Sequence, residues 1–338
     1  MNSRKYTGGS TMSKDGFEFD SIEKSKVTKM LKIAKRRQLI RVILISVISS
    51  ILVSFLLLIG ITQLNNYSYE NMSKDIAILH HITRPNTEEG TAIINSGIFK
   101  STVAYQNYKV IEGHPVKWED ETYQFKIWNS FRRLNSSNPL VIENDNKVSN
   151  EQSSIPNHIY NSQTMEKEMQ FYLPFVSYPS YINDLDKVKS KDVAAEIAIS
   201  FDKPYTVSEI SKMLPDGVHP VWYWVDTYYA KEQYKINHVT EPANQVYGFS
   251  TKKGQIEHGN GTEKDFLLVL QSGLKEKGKF YNEYKRIYDY LKNKKKNPNE
   301  TDVRIFGVVV TGTNENLIKL ENAPYMKAAV LGATVEDK

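Results

Sequence analysis

The stretch "KRRQLIRVILISVISSILVSFLLLIGI", residues 35–61, sets a cluster of positive charge directly against an uncharged apolar run. From Val42 to Ile61 no residue carries a charge. A helix of that length spans about 30 Å, the thickness of a bilayer's hydrocarbon core. One membrane crossing is therefore expected. Ser46, Ser49, Ser50 and Ser54 are compatible with it, because a serine in a membrane helix can hydrogen-bond a carbonyl one turn back. A cleaved signal peptide has a shorter apolar region, about 7–15 residues, placed close to the N-terminus. Here a long polar segment comes first, so the run reads as a retained anchor.

Charge gives the expected direction. Lys24, Lys26, Lys29, Lys32, Lys35, Arg36, Arg37 and Arg41 precede the run with no acid among them, whereas "TQLNNYSYENMSKD" after it carries one lysine and two acids. By the positive-inside rule the N-terminus is cytoplasmic and everything after Ile61 lies outside. The formal charge of +5 conceals this asymmetry: residues 1–61 hold 11 Lys and Arg against 4 Asp and Glu, and the remainder is slightly acidic. Because the excess sits beside the apolar run, it reads as a topology signal, and no direct nucleic-acid binding is expected.

The chain of 338 residues is long enough for one or two ordinary domains. It contains no cysteine, which excludes disulfides, thiolate metal sites and cysteine nucleophiles. Its histidines form no His-Glu-x-x-His motif, and His80 and His81 are adjacent, a poor spacing for joint metal ligation. There is no Gly-x-Ser-x-Gly elbow, no phosphate-binding loop and no dinucleotide fingerprint. No enzyme activity, cofactor or metal is expected. The glycines of "HGNGTEKD", 258–265, read as a turn and helix cap.

Before the anchor, residues 1–19 are polar and aperiodic, and Asp20 with Glu23 has the register of a capping box. Val27, Met30, Leu31 and Ala34 follow at helical spacing, giving a short basic amphipathic helix. Two readings fit it. In one, its lysines meet anionic lipid headgroups. In the other, Val27, Met30 and Leu31 dock in the groove of a cytoplasmic partner.

After the anchor, 62–85 reads as a stalk ending at "TRPN", and 91–118 holds short β-favouring runs. Residues 130–165 are rich in Asn and Ser and read as a linker or long loop. Further on, "VAAEIAISF" alternates Val193, Ala195, Ile197, Ile199 and Phe201 on one face, a strand. "TVSEISKML" opens a helix with Thr206 and Glu209 in capping-box register, and "PDG" at 215–217 turns the chain. "VWYWVDTYY" reads as a second strand, 265–276 and 279–293 as helices, "RIFGVVVTG" as a central strand, "NENLIKL" as a short helix and "MKAAVLGATVE" as a closing strand. Strands and helices mix without a βαβ repeat, which points to α+β. Trp222, Tyr223 and Trp224, with Tyr228 and Tyr229, have the composition of a carbohydrate or peptide groove. The plainer reading is a strand with one buried and one exposed face, Trp222 and Trp224 on one side and Tyr223 on the other.

Four phrases, "KRRQLIRVILISVISS", "EIAISFDKPYTVSEISKMLP", "WYWVDTY" and "IFGVVVTGTNENLIKLENAPYMKAAVLGATVE", together resemble the sigma-factor regulator family, membrane-bound anti-sigma factors of Gram-positive bacteria. The resemblance covers the basic stretch with the span and most of 165–336. It implies an α+β extracytoplasmic domain on a single transmembrane helix with a short cytoplasmic tail: tail 1–41, span 42–61, stalk and small N-terminal regulator region 62–160, and C-terminal regulator domain 161–338. It also implies that the tail holds an extracytoplasmic-function sigma factor inactive while the outer region receives an envelope signal. Under that reading Val27, Met30 and Leu31 are apolar anchors and Lys26, Lys29 and Lys32 meet an acidic sigma surface. Zinc-type anti-sigma domains resemble a His-x-x-x-Cys-x-x-Cys helix, which a cysteine-free chain lacks, and the tail is short for a full helical anti-sigma domain. Membrane lipids, a second membrane regulator or a protease acting on 62–85 are the further partners such a device would use. The alternative is a membrane-anchored envelope protein that binds glycan or peptide at Trp222, Tyr223 and Trp224.

Overall fold

A computed structural model describes residues 15–135, 140–141, 158–189, 192–252 and 261–336. The polar N-terminus up to residue 14, most of the linker expected at 130–165, and the 258–260 part of the glycine turn lie outside the described residues. The chain divides into two compact units, Met1–Gln63 and Leu64–Lys338.

The first unit is the helical stretch that contains the apolar run. Helix α1, Asp15–Thr83, holds 69 residues, and its apolar window is long enough to cross a membrane and wholly exposed. The N-cap expected at Asp20 is displaced, since the helix has already begun at Asp15. A capping box favours a boundary by only about 1 kcal/mol, and propagation of an existing turn overrides it.

In the second unit, the last turns of α1 are packed, where the sequence suggested a stalk. Ser68, Met72, Ile76 and Ile82 are buried at close to helical spacing. The helix stops before Pro85, which lacks an amide hydrogen and disfavours a helical residue ahead of it; Asn86 then turns in the left-handed region at φ 48°.

An antiparallel sheet follows: β1 Glu88–Asn95, β2 Lys100–Ile111, β3 His114–Lys117, β4 Glu121–Lys126 and β5 Ser130–Arg133, ordered β1-β2-β4-β5 with β3 also paired to β2. Strand β2 buries every second residue, and its Val103 and Tyr105 join Tyr123 and Phe125 of β4 against Met72 and Ile76 of α1. The same inward register carries Lys109 and Glu121.

The larger sheet comprises β6 Val193–Tyr205, β7 His219–Val225, β8 Gly248–Ser250, β9 Ile305–Thr313 and β10 Met326–Glu336, all antiparallel in the order β8-β7-β9-β6-β10. Between β6 and β7 sits α2, Val207–Met213, with the expected capping box of Thr206 and Glu209. Two further helices, α3 Glu263–Glu276 and α4 Tyr281–Lys292, fall within two residues of the expected ranges, and Thr262 caps the first through Asp265. Short helix α5, Asn314–Leu317, precedes β10.

Both faces of this sheet are covered. Ile197, Ile199, Tyr223 and Val308 pack on Phe266, Leu270, Tyr284 and Ile287 of α3 and α4, with Ile82 of α1 in the same cluster. On the other face Ala198, Trp222, Trp224, Phe306 and Val330 pack under an irregular segment containing Phe171, Tyr172, Leu173 and Val176. The exposed face expected for β7 is therefore absent: Tyr223 is as buried as its neighbours, because β7 lies inside the sheet with helices over one face and the 171–176 segment over the other.

Candidate functional site

The six tail residues Lys26, Val27, Lys29, Met30, Leu31 and Lys32 lie on α1, and all are exposed. Advancing about 100° per residue, Val27, Met30, Leu31 and Ala34 share one side, and Lys26, Lys29 and Lys32 fall on the other. Met30 is 70% exposed and Val27 55%, so the stripe is open to a partner's groove or to lipid. Trp222, Tyr223 and Trp224 are interior side chains of β7 and present no aromatic face to solvent. Trp224 makes an edge contact with Phe306 at 5.5 Å between ring centres and lies 4.9 Å from Phe171, which is core packing.

A second constellation lies where α1 ends, and it escaped the sequence reading. His80 Nδ1 contacts Glu89 of β1, and His80 Nε2 lies 3.1 Å from Glu121 of β4. One turn on, Arg84 Nη1 donates to Glu89 at 2.9 Å, and its Nη2 stands 3.8 Å from Glu121. Arg133 of β5 completes the cluster, with Nη2 2.7 Å from Glu119 and Nη1 3.3 Å from Glu121, and Tyr123 donates to Glu121 at 2.8 Å. Burial opposes ionisation of Glu121, but the His80 hydrogen bond and the charges of Arg84, His80 and Arg133 outweigh it and hold this carboxyl well below the ordinary range. Glu168 goes the other way: burial and the nearby Glu119 raise it, against a hydrogen bond from Asn161.

All of these groups except Glu89 and Asn161 border an open cavity of about 260 Å³, with Lys109, Trp118 and Tyr247 on its wall. The cluster fastens the end of α1 to β1 and β4 of the smaller sheet by charge. The contacts to Glu121 join α1 to β4, which also packs on Met72 and Ile76, whereas those to Glu89 hold β1, which has no residue in that cluster. Chemically it can act as an ionic latch on the helix, because neutralising one member leaves buried partners without their counter-charge.

A second depressed carboxylate sits under β10. Asp184 accepts from Leu331 N at 3.0 Å, lies 2.8 Å from His158 Nε2 and binds Lys187 at 2.6 Å. Burial raises it, and the His158, Lys187 and Leu331 hydrogen bonds more than offset that, leaving it well below the usual aspartate range. For Glu121 and Asp184 alike, the folded value lies below the unfolded one, so their stabilisation is fully present above the unfolded value of about pH 4 and is lost progressively as the pH falls from there towards the folded value. We expect the urea midpoint of the full chain to drop from pH 6 to pH 3. Glu121→Gln and Asp184→Asn should each lower the midpoint at pH 6 and flatten the slope below it. An unchanged slope in both variants would refute this assignment.

The fold defines a class: a mixed α+β, sheet-rich domain preceded by one helix long and apolar enough to cross a membrane. The sigma factor regulator N-terminal profile matches residues 28–116, and the sigma factor regulator C-terminal profile matches residues 185–333. The chain belongs to the sigma-factor regulator family, a regulatory family, and the two matches together cover more than two thirds of its length. No curated protein and no solved structure gives a match. The N-terminal match takes in Met30, Leu31, the apolar run, β1, β2 and most of β3, while the C-terminal match takes in the larger sheet up to residue 333 of β10. Glu119, Glu121, Arg133 and Glu168 fall between the two.

Proposed function

We propose that this protein is a single-pass, membrane-anchored anti-sigma factor whose cytoplasmic tail, 1–41, sequesters an extracytoplasmic-function sigma factor and whose outer domain responds to envelope signals. The family membership carries the reading. The exposed stripe of Val27, Met30 and Leu31 supports it, since a short helix can bury such anchors in a partner's groove. Lys26, Lys29 and Lys32 supply charge for an acidic sigma surface and for faster encounter. Orientation with the N-terminus inside follows from the run of basic residues before Val42.

For the relay, two routes are open to such a protein: movement of the span, or cleavage between residues 62 and 85 by a protease. Burial of Ser68, Met72, Ile76 and Ile82 favours movement, because a protease must first unravel a packed helix. The latch at His80 and Arg84 is the place where the outer domain grips that helix by charge. No observation favours a glycan- or peptide-binding groove at Trp222, Tyr223 and Trp224, whose rings are packed inside.

The test is co-purification from native membranes of the intact chain and of a chain lacking residues 1–38, with bound partners identified by mass. A sigma factor retained by the first and absent from the second is the expected result. Envelope proteins alone on both would overturn the anti-sigma reading.

A further inference from the structure

Among the described residues, one corner of the smaller sheet exposes a group of large apolar side chains. Ile93 and Ile94 of β1, Ile98 and Phe99 in the β1–β2 connection, and Trp128 in the β4–β5 turn are all exposed, Ile98 at 60%, Phe99 at 57% and Trp128 at 58%. Scattered exposed apolar residues are ordinary, but five concentrated on the end of β1 and two adjacent loops mark an interaction surface. The two loops are bonded to each other, Ile127 N donating to Phe99 O at 3.3 Å.

Their position is fixed by polar pins to the start of this unit. Asn65 Nδ2 donates to Gly97 O at 3.1 Å, and Ser101 Oγ donates to Asn65 Oδ1 at 3.1 Å. One turn on, Asn129 N donates to Ser68 Oγ at 3.2 Å, and Asn71 Nδ2 to Asn129 Oδ1 at 3.3 Å. Asn65 stands four residues after Ile61, the last residue of the uncharged run. Four residues reach about 14 Å at full extension and about 6 Å as helix. The chain therefore keeps Asn65, to which the 95–100 connection is bonded, at most about 14 Å from the end of the uncharged run, close to a headgroup layer about 5–8 Å deep on each side of the hydrocarbon.

We propose that this corner, Ile98, Phe99 and Trp128 with Lys100 and Lys126, seats in the lipid headgroup layer of the membrane that α1 enters. The chemistry fits that occupant. Tryptophan is enriched at the boundary between hydrocarbon and water, where its ring is half apolar and its N–H stays wet. Lys126 places its ammonium 5.2 Å from the Trp128 ring centre, and Lys100 pairs with Lys126 across β2 and β4, so two cations flank the apolar tips as anionic headgroups require. The smaller sheet, through Met72 and Ile76, then ties lipid contact to the same helix that the His80 and Arg84 latch holds.

The inference rests on the reading that Val42–Ile61 crosses a bilayer, and the test separates the two. Because the chain has no cysteine, a nitroxide can be placed at single sites without other substitutions. Full-length Phe99→Cys, Trp128→Cys, Ile51→Cys and Ile236→Cys are each labelled and reconstituted in vesicles of phosphatidylcholine and phosphatidylglycerol. Relaxation by oxygen, which concentrates in lipid, is compared with relaxation by a water-soluble nickel chelate. Phe99, Trp128 and Ile236 are exposed, so labelling them removes no core packing. The expected result is an oxygen-to-nickel accessibility ratio several-fold higher at 99 and 128 than at 236, on the lipid side with position 51. Position 51 in lipid with 99 and 128 in water overturns the inference and leaves the membrane span standing. Position 51 in water overturns both. Shielding of 99 and 128 from both relaxants overturns it in favour of a protein partner or a second copy, and lipid contact at 236 as well would reduce it to non-specific adsorption.

Discussion

Replacing Lys109 with methionine is expected to destabilise the 64–338 unit by about 3–5 kcal/mol, the usual result of removing one partner from a buried ion pair. Lys109 is 2% exposed and its partner Glu196 is fully buried. The pair joins β2 to β6, and the carboxylate also accepts from Asn86 Nδ2 at 2.9 Å and from Ala333 N at 3.1 Å. The ammonium lies 3.8 Å from the Trp118 ring centre, so both of its faces are used. A methionine keeps the volume and removes the charge, leaving a carboxylate in an interior where only two neutral donors remain. Glu196→Gln added to Lys109→Met should recover much of the loss, because the uncompensated charge is the main cost. Denaturant unfolding of the full chain in lipid nanodiscs checks both variants. A loss below 1 kcal/mol for Lys109→Met would mean that water reaches the pair. Asn86 follows α1 by three residues, so the same loss should loosen the end of the helix as well as the two sheets.

Neither partner of that pair was singled out from sequence, although each left a trace. Lys109 stands in the period-two register of Val103, Tyr105 and Ile111, and Glu196 interrupts the apolar run "VAAEIAISF". Alternation places a charge on an inward face but does not name its partner 87 residues away. Local signals did far better. The Thr206 and Glu209 capping box, the Gly217 turn and the boundaries of α3 and α4 are set by contacts a few residues apart, and the structure has the first two as read and the helix boundaries within two residues. The burial of Tyr223 and the packing of residues 64–83 depend on what covers a strand or helix, which is long-range. Ser68, Met72 and Ile76 do carry an inward stripe, but polar neighbours at Asn65, Asn66 and Ser73 dilute it enough to look like a solvated stalk. The His80, Arg84 and Glu121 cluster was hidden for the same reason, since it joins the end of α1 to residues of β1, β4 and β5.

Substituting Val27, Met30 and Leu31 together with alanine should abolish sigma inhibition in cells, raising transcription of the sigma-dependent genes to the level seen when the gene is deleted. If each side chain is an anchor in a partner's groove, truncating it costs about 1–2 kcal/mol, and the three together weaken binding on the order of a thousandfold. Loss of the helix would not explain such a result, because alanine is the best helix former and these three residues make no packing contact that holds the chain. Lys26, Lys29 and Lys32 replaced by glutamine should act differently. Exposed charges chiefly speed encounter, so the variant should bind more slowly, with a weaker salt dependence and partial inhibition retained. The two sets separate the readings of this helix. A helix that only rests on lipid through the same stripe loses membrane contact in the alanine variant but keeps the sigma factor silent, and that outcome would remove Val27, Met30 and Leu31 from the binding surface. Derepression with the protein still at full length in the membrane would instead place the sigma contact on this stripe, and would make release a matter of moving the helix.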